Sequence, residues 1–491
     1  MRRFLARYSF VLVAALLLVG IAFTCVVLPS AYVHWIDDVM INEFGRMPIG
    51  AHDFDWNMNW YPNEIQNRQT SAPFYLGGLL LECGYLAFGE LGPRLIVFVA
   101  FVLATFGLFF YINSKIGNRL IAILSAALFF SYPIIQVSVR GARVDAVAML
   151  AVIAALCLLQ WRPSQGNRGR ILLFFLVGGL CSIGGFVWVS AALLGPLVLW
   201  EMLEFLKTNG CTAKERIGLI AVAMGGFLIF SAVILIPFYP ILQDTFAALK
   251  MNFSTSAGRS KGHLMLKELV QCLLAPPGTF LVGFVLMLFC RRLVILAVGS
   301  WMLLALCAMT NIYPHRMIYF LPVVLVAFAI VYSQLRSSLG KVILFGILVL
   351  MTAISYARTC VFRNVCDLES RPLRDAAALK SVIERDIGRS RRIYNSAFSL
   401  YYIGRDLGWI QFRATGMSEI PPEALYPLVN CYICEAEGHS DALEQSLSQH
   451  GFKLVKRIAL PTPSFSALGN LIHRTGRMTP ILGEYLFYAR E

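Results

Sequence analysis

Apolar runs long enough to cross a lipid bilayer recur along the first 357 residues of this 491-residue chain. A transmembrane helix needs about 17–25 predominantly apolar residues. The first run extends from about Tyr8 to Pro29 and follows three arginines, which is typical of an anchor helix. Further runs begin near Pro93, Leu120, Asp145, Ile171, Phe186, Ile217, Leu269, Leu293, Met317 and Val342. The pattern predicts about eleven membrane-spanning helices. The runs at Ile171 and Phe186 are separated by a single glycine pair and could instead form one long tilted helix, but counting them as two preserves the alternation of basic loops described below.

Composition separates this chain from soluble proteins. Apolar residues make up 58% of it and charged residues 14%, whereas soluble domains average roughly 45–50% and 25%. A chain with so little polar side-chain surface cannot cover itself in water, so we exclude an ordinary soluble enzyme and a disordered protein. The net charge of +14 fits basic loops on the cytoplasmic side of a membrane better than a nucleic-acid partner.

The acidic residues divide the chain into two parts. Half of the 28 Asp and Glu residues lie after residue 357, in little more than a quarter of the length. We therefore predict a transmembrane domain over residues 1–357 and a soluble domain over residues 358–491. In the soluble part, a helical pattern near Arg371–Ile387 and short apolar runs at four places indicate a small α/β fold. The four runs are Arg392–Tyr394, Leu428–Cys434, Phe452–Ile458 and Tyr485–Tyr488.

The short loops between the predicted spans give an orientation. If the N-terminus is cytoplasmic, every second short loop carries Lys or Arg, as the positive-inside rule requires. The basic loops are Lys115/Arg119, Arg162/Arg168/Arg170, Lys207/Lys214/Arg216, Arg291/Arg292 and Arg336/Lys341. We then expect three segments outside: a first loop of about residues 30–92, a loop of about residues 238–267, and the soluble domain.

The first outer loop is unusually acidic, with eight acids against Arg46 and Arg68. Asp37 and Asp38 follow the first span by a few residues and precede an amphipathic stretch, so we expect them at the membrane surface. Partial desolvation and a like-charged neighbour raise a carboxylate pKa, which suits a general base. An acidic solvated loop, or aspartates that cap a helix or an interfacial turn, remains the alternative.

A second acid lies at the predicted outer mouth of the fourth span, in the sequence Arg140-Gly-Ala-Arg143-Val-Asp145. Ionisable residues at the edge of a span are candidates for function. A structural ion pair between Asp145 and Arg143 or Arg140 is an equally good interpretation.

These features, in their order, spacing and side of the membrane, resemble the GT-C glycosyltransferases, specifically the group of protein O-mannosyltransferases and lipid A aminoarabinose transferases. Members carry an Asp-Glu pair after the first span and a short amphipathic helix ending in Arg; Asp37-Asp38 and Arg46 take these places. A Pro-rich stretch, an aromatic-Gly pair and an Arg opening the second span follow, matched by Ala72-Pro73-Phe74-Tyr75, Phe88-Gly89 and Arg94.

Two later features extend the resemblance over most of residues 1–330. Arg143-Val-Asp145 matches the family's Arg-x-Asp mouth of the fourth span, and the segment Pro314–Pro322 approximates its Arg-aromatic-Leu-Pro stretch. Two positions depart from the pattern. The second acid is Asp38 rather than Glu, and Ser71-Ala72 stands where a His or Lys usually precedes the proline.

The resemblance implies inverting transfer of a sugar from a polyprenyl-phosphate donor to an acceptor hydroxyl on the outer face. We expect Asp37 to be the base, with Asp38 second and Asp145 as a helper. For the donor phosphate we expect cations from among Arg68, Arg140, Arg143, Arg259, Lys261 and Arg316. Arg259 and Lys261 lie in a glycine-containing basic run suited to phosphate, or in an ordinary flexible loop.

The remaining expectations concern cofactors, partners and location. We expect no cofactor; Asp37, Asp38, His52, Asp53 and Asp55 could bind a divalent metal, although the family is not generally metal-dependent. Cys431-x-x-Cys434 is interpreted as inert thiols or a structural bridge. The partners are the lipid-linked sugar, a glycan, lipid or protein acceptor, and membrane lipids, without nucleic acid. The expected location is a bacterial inner membrane with the soluble domain outside. The alternatives are a transporter or flippase of lipid-linked glycans, and a non-catalytic subunit of a polysaccharide assembly complex.

Overall fold

A computed structural model describes residues 2–30, 75–160, 167–236, 262–275, 277–310, 314–369, 376–412, 420–421, 423–436, 439–459, 466 and 484–490. The membrane part contains fifteen α-helices within these ranges. They are α1 (Arg2–Val27), α2 (Tyr75–Phe88), α3 (Leu91–Ile116), α4 (Arg119–Ser131), α5 (Pro133–Arg140), α6 (Asp145–Gln160), α7 (Asn167–Val187), α8 (Gly195–Thr208), α9 (Ala213–Leu235), α10 (Gly262–Leu274), α11 (Thr279–Leu288), α12 (Val294–Thr310), α13 (Phe320–Gln334), α14 (Ser338–Tyr356) and α15 (Asn364–Glu369).

The polytopic membrane architecture predicted from the sequence is confirmed. In the described ranges, seven helical segments are long and apolar enough to cross a membrane. Two bent pairs, α4 with α5 and α11 with the helix that follows it, pass the same test together. The run predicted at Phe186 is a separate span, because Trp188 is extended (φ −158°) and a 3-10 turn, Val189–Leu194, then leads into α8.

One helix within the predicted first outer loop was missed. The helix α2 has 14 residues and is therefore too short to register as a span. It is apolar but includes Glu82. It packs against α3 at a close crossing, where a Cβ on Gly92 would lie 1.8 Å from the carbonyl oxygen of Gly84. The chain therefore returns to the membrane domain before the second predicted span begins.

Close packing of small residues joins α7 to α9. A Cβ on Gly178 would lie 1.8 Å from the carbonyl oxygen of Ala223, and one on Gly226 would lie 2.1 Å from that of Phe175. Ser182 and Ser231 hydrogen-bond between the same two helices at 2.9 Å. Without a hydrophobic driving force between helices in lipid, such small-residue contacts and interhelical hydrogen bonds are what hold membrane helices together.

The soluble domain has the expected α/β fold, with three helices and five strands among its described residues. They are α16 (Ala376–Asp386), β1 (Arg392–Asn395), α17 (Tyr401–Asp406), β2 (Ile410–Phe412), β3 (Cys431–Glu435), α18 (Asp441–Gln449), β4 (Phe452–Ala459) and β5 (Glu484–Arg490). The strand order is β2-β1-β3-β5-β4. The strands β2, β1 and β3 are parallel, and β5 is antiparallel to both β3 and β4.

The twelve cysteines are all free thiols. Cys431 belongs to the hydrophobic core on one face of the sheet, and Cys434 belongs to the core on the other face. Because they project to opposite sides of strand β3, they do not bridge each other, and the interpretation as inert buried thiols is the one that fits.

Candidate active site

The turn between α5 and α6 directs two arginines to different partners. Arg140 ends α5, Asp145 begins α6, and Ala142 between them has a φ of +62°. This left-handed conformation is uncommon for a residue with a Cβ. The amide of Arg143 donates to the carbonyl of Ser138 at 3.0 Å and closes the turn. The tight turn brings Arg143 back towards Asp145, whereas Arg140 contacts a different set of residues.

Asp145 is the centre of a buried polar network. Its Oδ2 accepts hydrogen bonds from Ser138 Oγ and Arg143 Nε, both at 2.9 Å, and its Oδ1 accepts one from Tyr319 Oη at 2.8 Å. Asp145 is 1% exposed and Arg143 is 2% exposed. Of the two ion pairs that the sequence allowed for Asp145, the one with Arg143 is formed. Three hydrogen bonds to one carboxylate fix its orientation.

Arg140 lies in a different network from Asp145. Its guanidinium donates to Asp367 and Asn364 of α15, and Asn364 Nδ2 donates to Thr24 Oγ1 of α1 at 3.3 Å. Arg140 and Asp367 are both buried. The structure therefore brings Arg143 and Asp145 together, while Arg140 ties the end of α5 to the helices on either side of it.

The segment that carries Arg316 packs against the same region. Pro314–Tyr319 forms a 3-10 turn that contacts α5 and the turn Val189–Leu194. Tyr319 at its end reaches Asp145, and Arg316 is partly exposed. Arg316 is thus placed at the same end of the helical bundle as the Arg143–Asp145 pair.

Both described ends of the first loop reach this end of the bundle. Thr24, near the end of α1, contacts Asn364 of the Arg140 network. At the start of α2, a Cβ on Gly77 would lie 3.0 Å from the side chain of Val144, the neighbour of Asp145. The predicted residues Asp37, Asp38 and Arg68 fall between these two points in the sequence and lie outside the described residues, as do Arg259 and Lys261.

The soluble domain docks on α2 through a contact that the sequence did not predict. Arg405 donates from both terminal nitrogens to the two carboxylate oxygens of Glu82, each at 2.9 Å. Its guanidinium also lies 3.8 Å from the ring centroid of Tyr85, which stacks on Tyr402. Glu82 was the sequence signal for this contact. An acid in an apolar helix is expected to be buried, and a buried carboxylate requires a partner.

A second buried carboxylate lies near the other end of the bundle. Glu201 accepts hydrogen bonds from Lys115 Nζ at 2.6 Å and from Tyr111 Oη and Gln160 Nε2 at 2.5 Å. Lys115 lies near the last turn of the 26-residue helix α3, whose first turn meets α2. A helix of that length extends about 39 Å, which places Glu201 far from the soluble domain.

Comparison with solved structures identifies the fold. The chain superposes on the crystal structure of ArnT from Cupriavidus metallidurans bound to undecaprenyl phosphate with a TM-score of 0.57. The alignment covers 97% of each chain at 12% sequence identity. The same protein in the apo state gives a TM-score of 0.54 with the same coverage and identity. An oligosaccharyltransferase from Archaeoglobus fulgidus in complex with Zn and sulfate gives 0.49, covering 85% of this chain and 68% of that one.

At the level of sequence, no protein-family model and no curated protein matches the chain. The superposition on ArnT nevertheless covers both the membrane domain and the soluble domain. This protein is therefore an integral membrane protein with the GT-C fold, as its first-loop and fourth-span motifs indicated.

Proposed function

We propose that this protein is a membrane glycosyltransferase that moves a sugar from a polyprenyl-phosphate donor to an acceptor hydroxyl on the extracytoplasmic face. One observation carries the proposal: the chain shares its fold over nearly its whole length with a protein bound to undecaprenyl phosphate. The gathering of Asp145, Arg143 and the Arg316 segment at one end of the bundle supports it.

The proposed reaction needs one base and a cationic site. Asp37 takes the proton of the acceptor hydroxyl, and the oxygen attacks the anomeric carbon of the sugar. The bond between that carbon and the phosphate oxygen breaks, and the polyprenyl phosphate departs with inversion at the sugar. Asp38 is the second candidate for the base. A positioned general base contributes a factor of about 10²–10⁴ to such a step.

The arginines have different parts in this proposal. Arg316, Arg68, Arg259 and Lys261 are proposed to contact the donor phosphate directly. Arg143 is held by Asp145, so the pair presents a fixed, nearly neutral unit, and Asp145 helps by orienting Arg143 and Tyr319. Arg140 is held by Asp367, and we propose that it contributes through the position of α5.

The same geometry supports an orientation in the membrane. Lys115 and Arg292 belong to two of the predicted cytoplasmic loops, and they contact Glu201 and Glu204 of α8 at the end remote from the soluble domain. We propose that this end faces the cytoplasm and that Asp145 and the soluble domain face outward. In a bacterium this corresponds to the inner membrane, with the active site towards the periplasm.

Binding of the carrier lipid tests the donor assignment. In native mass spectrometry of the purified protein with added undecaprenyl phosphate, we expect one bound lipid per chain. The variant Arg316→Gln should bind about tenfold more weakly, because a charge-assisted hydrogen bond to phosphate is lost. Arg336→Gln, in a predicted cytoplasmic loop, is the control and should bind like the wild type. Equal binding of undecaprenyl phosphate by all three proteins would show that Arg316 does not contact the donor phosphate.

Comparison of cell-envelope glycans from cells with and without the gene tests the activity in its natural setting. The loss of one monosaccharide from a defined glycan would identify both the sugar and the acceptor. A transporter of lipid-linked glycans would instead cause the loss of a whole oligosaccharide.

A further inference from the structure

Five cations collect where α7 and α9 begin, at the end of the bundle remote from the soluble domain. They belong to the first turn of α7, the last turn of α8 and the first turn of α9. The two helices α7 and α9 run parallel, because Arg170 contacts Cys211 just before α9 and Ser182 meets Ser231 further along both helices. Their first turns therefore lie side by side. We call the five cations the α7–α9 basic cluster: Arg168, Arg170, Lys207, Lys214 and Arg216.

Two arginines of the cluster converge on the buried residue Cys211. Arg170 Nη1 donates to Cys211 Sγ at 3.7 Å, and Arg216 Nε donates to the carbonyl of Cys211 at 2.8 Å. A guanidinium carries five N–H donors. Each arginine is therefore held in place by one hydrogen bond and keeps most of its donors for another partner.

The positive charge of the cluster is largely uncompensated. In the part of the chain that the structure describes, none of its five cations forms an ion pair with an acid. The acid in the same turns is Glu215, which accepts two hydrogen bonds from Thr212 in a capping box and interacts electrostatically with Arg170. The sequence of residues 161–166, which precede α7, adds Arg162 and no acid. Five cations thus face one carboxylate that is already engaged.

Exposed apolar side chains adjoin the cluster on the side of the membrane interior. Ile171 and Leu172 of α7 and Ile217 of α9 are exposed, and each lies within two residues of an arginine of the cluster. In α9 the exposed apolar surface continues at Met224 and Leu228. The boundary between apolar and charged surface therefore falls at the cluster, which is the depth at which lipid headgroups lie.

We propose that the α7–α9 basic cluster binds the phosphate of an anionic phospholipid of the surrounding bilayer, such as phosphatidylglycerol. Guanidinium groups match the geometry of a phosphate, and the adjacent N-terminal ends of α7 and α9 add positive partial charge. Basic sites between membrane helices bind anionic headgroups in this way. The adjoining apolar side chains favour an anion that carries acyl chains over a soluble one. The site is separate from the proposed donor site, and in the proposed orientation its lipid belongs to the cytoplasmic leaflet.

Native mass spectrometry of the full-length protein in detergent tests the proposal. The added lipids are phosphatidylglycerol, zwitterionic phosphatidylethanolamine with the same acyl chains, and undecaprenyl phosphate. We expect the wild type to bind phosphatidylglycerol about tenfold more tightly than phosphatidylethanolamine. Arg170→Gln/Arg216→Gln should bind phosphatidylglycerol about tenfold more weakly than the wild type, since two charged donors to the phosphate are lost. Arg168→Gln/Lys214→Gln leaves the hydrogen bonds to Cys211 in place and should weaken binding in the same direction.

The control is Arg336→Gln/Lys341→Gln, which removes two cations from another predicted cytoplasmic loop. It should bind phosphatidylglycerol like the wild type, and the melting temperature of each variant shows whether it is folded. The proposal is overturned if the wild type binds the two phospholipids equally, or if both cluster variants, folded, bind phosphatidylglycerol as tightly as the control. It is also overturned if the cluster variants lose undecaprenyl phosphate and keep phosphatidylglycerol, because the cluster would then belong to the donor site.

Discussion

Arg405 of the soluble domain and Glu82 of helix α2 form a buried two-point salt bridge, with both nitrogen–oxygen distances at 2.9 Å. The arginine side chain is 5% exposed and the glutamate side chain 2% exposed. The pair joins residues 323 positions apart in the sequence. It fixes the soluble domain to α2, which also touches the Asp145 region through Gly77 and Val144.

Removal of one partner of this pair should loosen the soluble domain. The variant Glu82→Gln leaves a buried guanidinium without its counter-charge, which costs about 3–5 kcal/mol in comparable sites. We expect a lower unfolding temperature and faster proteolysis of the soluble domain in the intact protein. Lys380→Met is the control, because Lys380 pairs with Asp406 nearby but both side chains are more than 30% exposed. Its effect should stay within about 1 kcal/mol. Equal effects of the two variants would contradict the account.

Two neighbouring glycines of α9 should respond in opposite ways to alanine. A Cβ at Gly226 would lie 2.1 Å from a carbonyl of α7, whereas one at Gly225 meets nothing within 4 Å. We expect Gly226→Ala to cost about 1–3 kcal/mol of stability through overpacking. Gly225→Ala should be neutral or slightly stabilising, since alanine is the better helix former. Thermal unfolding in detergent measures both, and a Gly226→Ala variant as stable as Gly225→Ala would show that α7 and α9 are not in close contact.

Arg140 should be needed for stability more than for donor recognition. Its guanidinium is held by Asp367 and Asn364, so Arg140→Met would leave the buried carboxylate of Asp367 without its nearest cation, with Arg363 at 4.0 Å as a weaker partner. We expect a cost of up to about 3–5 kcal/mol. The double variant Arg140→Met/Asp367→Leu should recover much of that loss. Denaturation of both variants measures the difference. If Arg140→Met is fully stable but binds undecaprenyl phosphate weakly, Arg140 belongs in the phosphate site.

His450 should give the soluble domain a pH-dependent contribution to its stability. Its ring contacts the carbonyl of Ser446 at 2.8 Å and Glu423 at 2.9 Å, and these hydrogen bonds raise the pKa of His450 above its usual 6.5. A raised pKa in the folded state stabilises the fold below pH 6.5, and this stability is lost as the pH rises through the higher value. As the pH rises from 6.5 through this higher value, the unfolding temperature of the wild type should fall, and that of His450→Gln should change less. Equal changes of unfolding temperature with pH in the wild type and in His450→Gln would contradict a role of His450 in this pH dependence.

The polytopic helical class could be predicted because bilayer thickness imposes a length and a composition on every span. The number could not: the sequence predicted about eleven spans, whereas seven helical segments, or nine if each bent pair is one span, pass the same test among the described residues. The run at Phe186 was predicted correctly although only two glycines precede it, since Trp188 adopts an extended conformation that ends α7. The helix α2 could not be found in the same way. Its 14 residues are stabilised by packing on α3 and by Arg405, and tertiary contacts of this kind leave no periodic signal.

The pairing within the Arg140–Asp145 motif was not predictable from the sequence, and the other candidate site residues, apart from Arg316, lie outside the described residues. The motif at Arg140–Asp145 offered two arginines for one aspartate, and sequence spacing alone did not choose between them. The left-handed conformation of Ala142 made the choice, by returning Arg143 to Asp145 and leaving Arg140 to Asp367. Asp367 is 227 residues from Arg140, so its partner could be recognised only in the folded chain.

Turnover of a lipid-linked sugar by purified protein tests the central claim most directly. The protein in nanodiscs is incubated with undecaprenyl-phosphate-linked hexoses and pentoses and an extract of envelope glycans, and the release of undecaprenyl phosphate is measured together with the glycosylated product. We predict turnover by the wild type and by Glu64→Gln, another acid of the first loop. Asp37→Asn should be slower by a factor of about 10²–10⁴, because the proposed general base is lost while binding of the carrier lipid is retained. Undiminished turnover by Asp37→Asn, or intact donor moved across the membrane without release of undecaprenyl phosphate, would contradict the account.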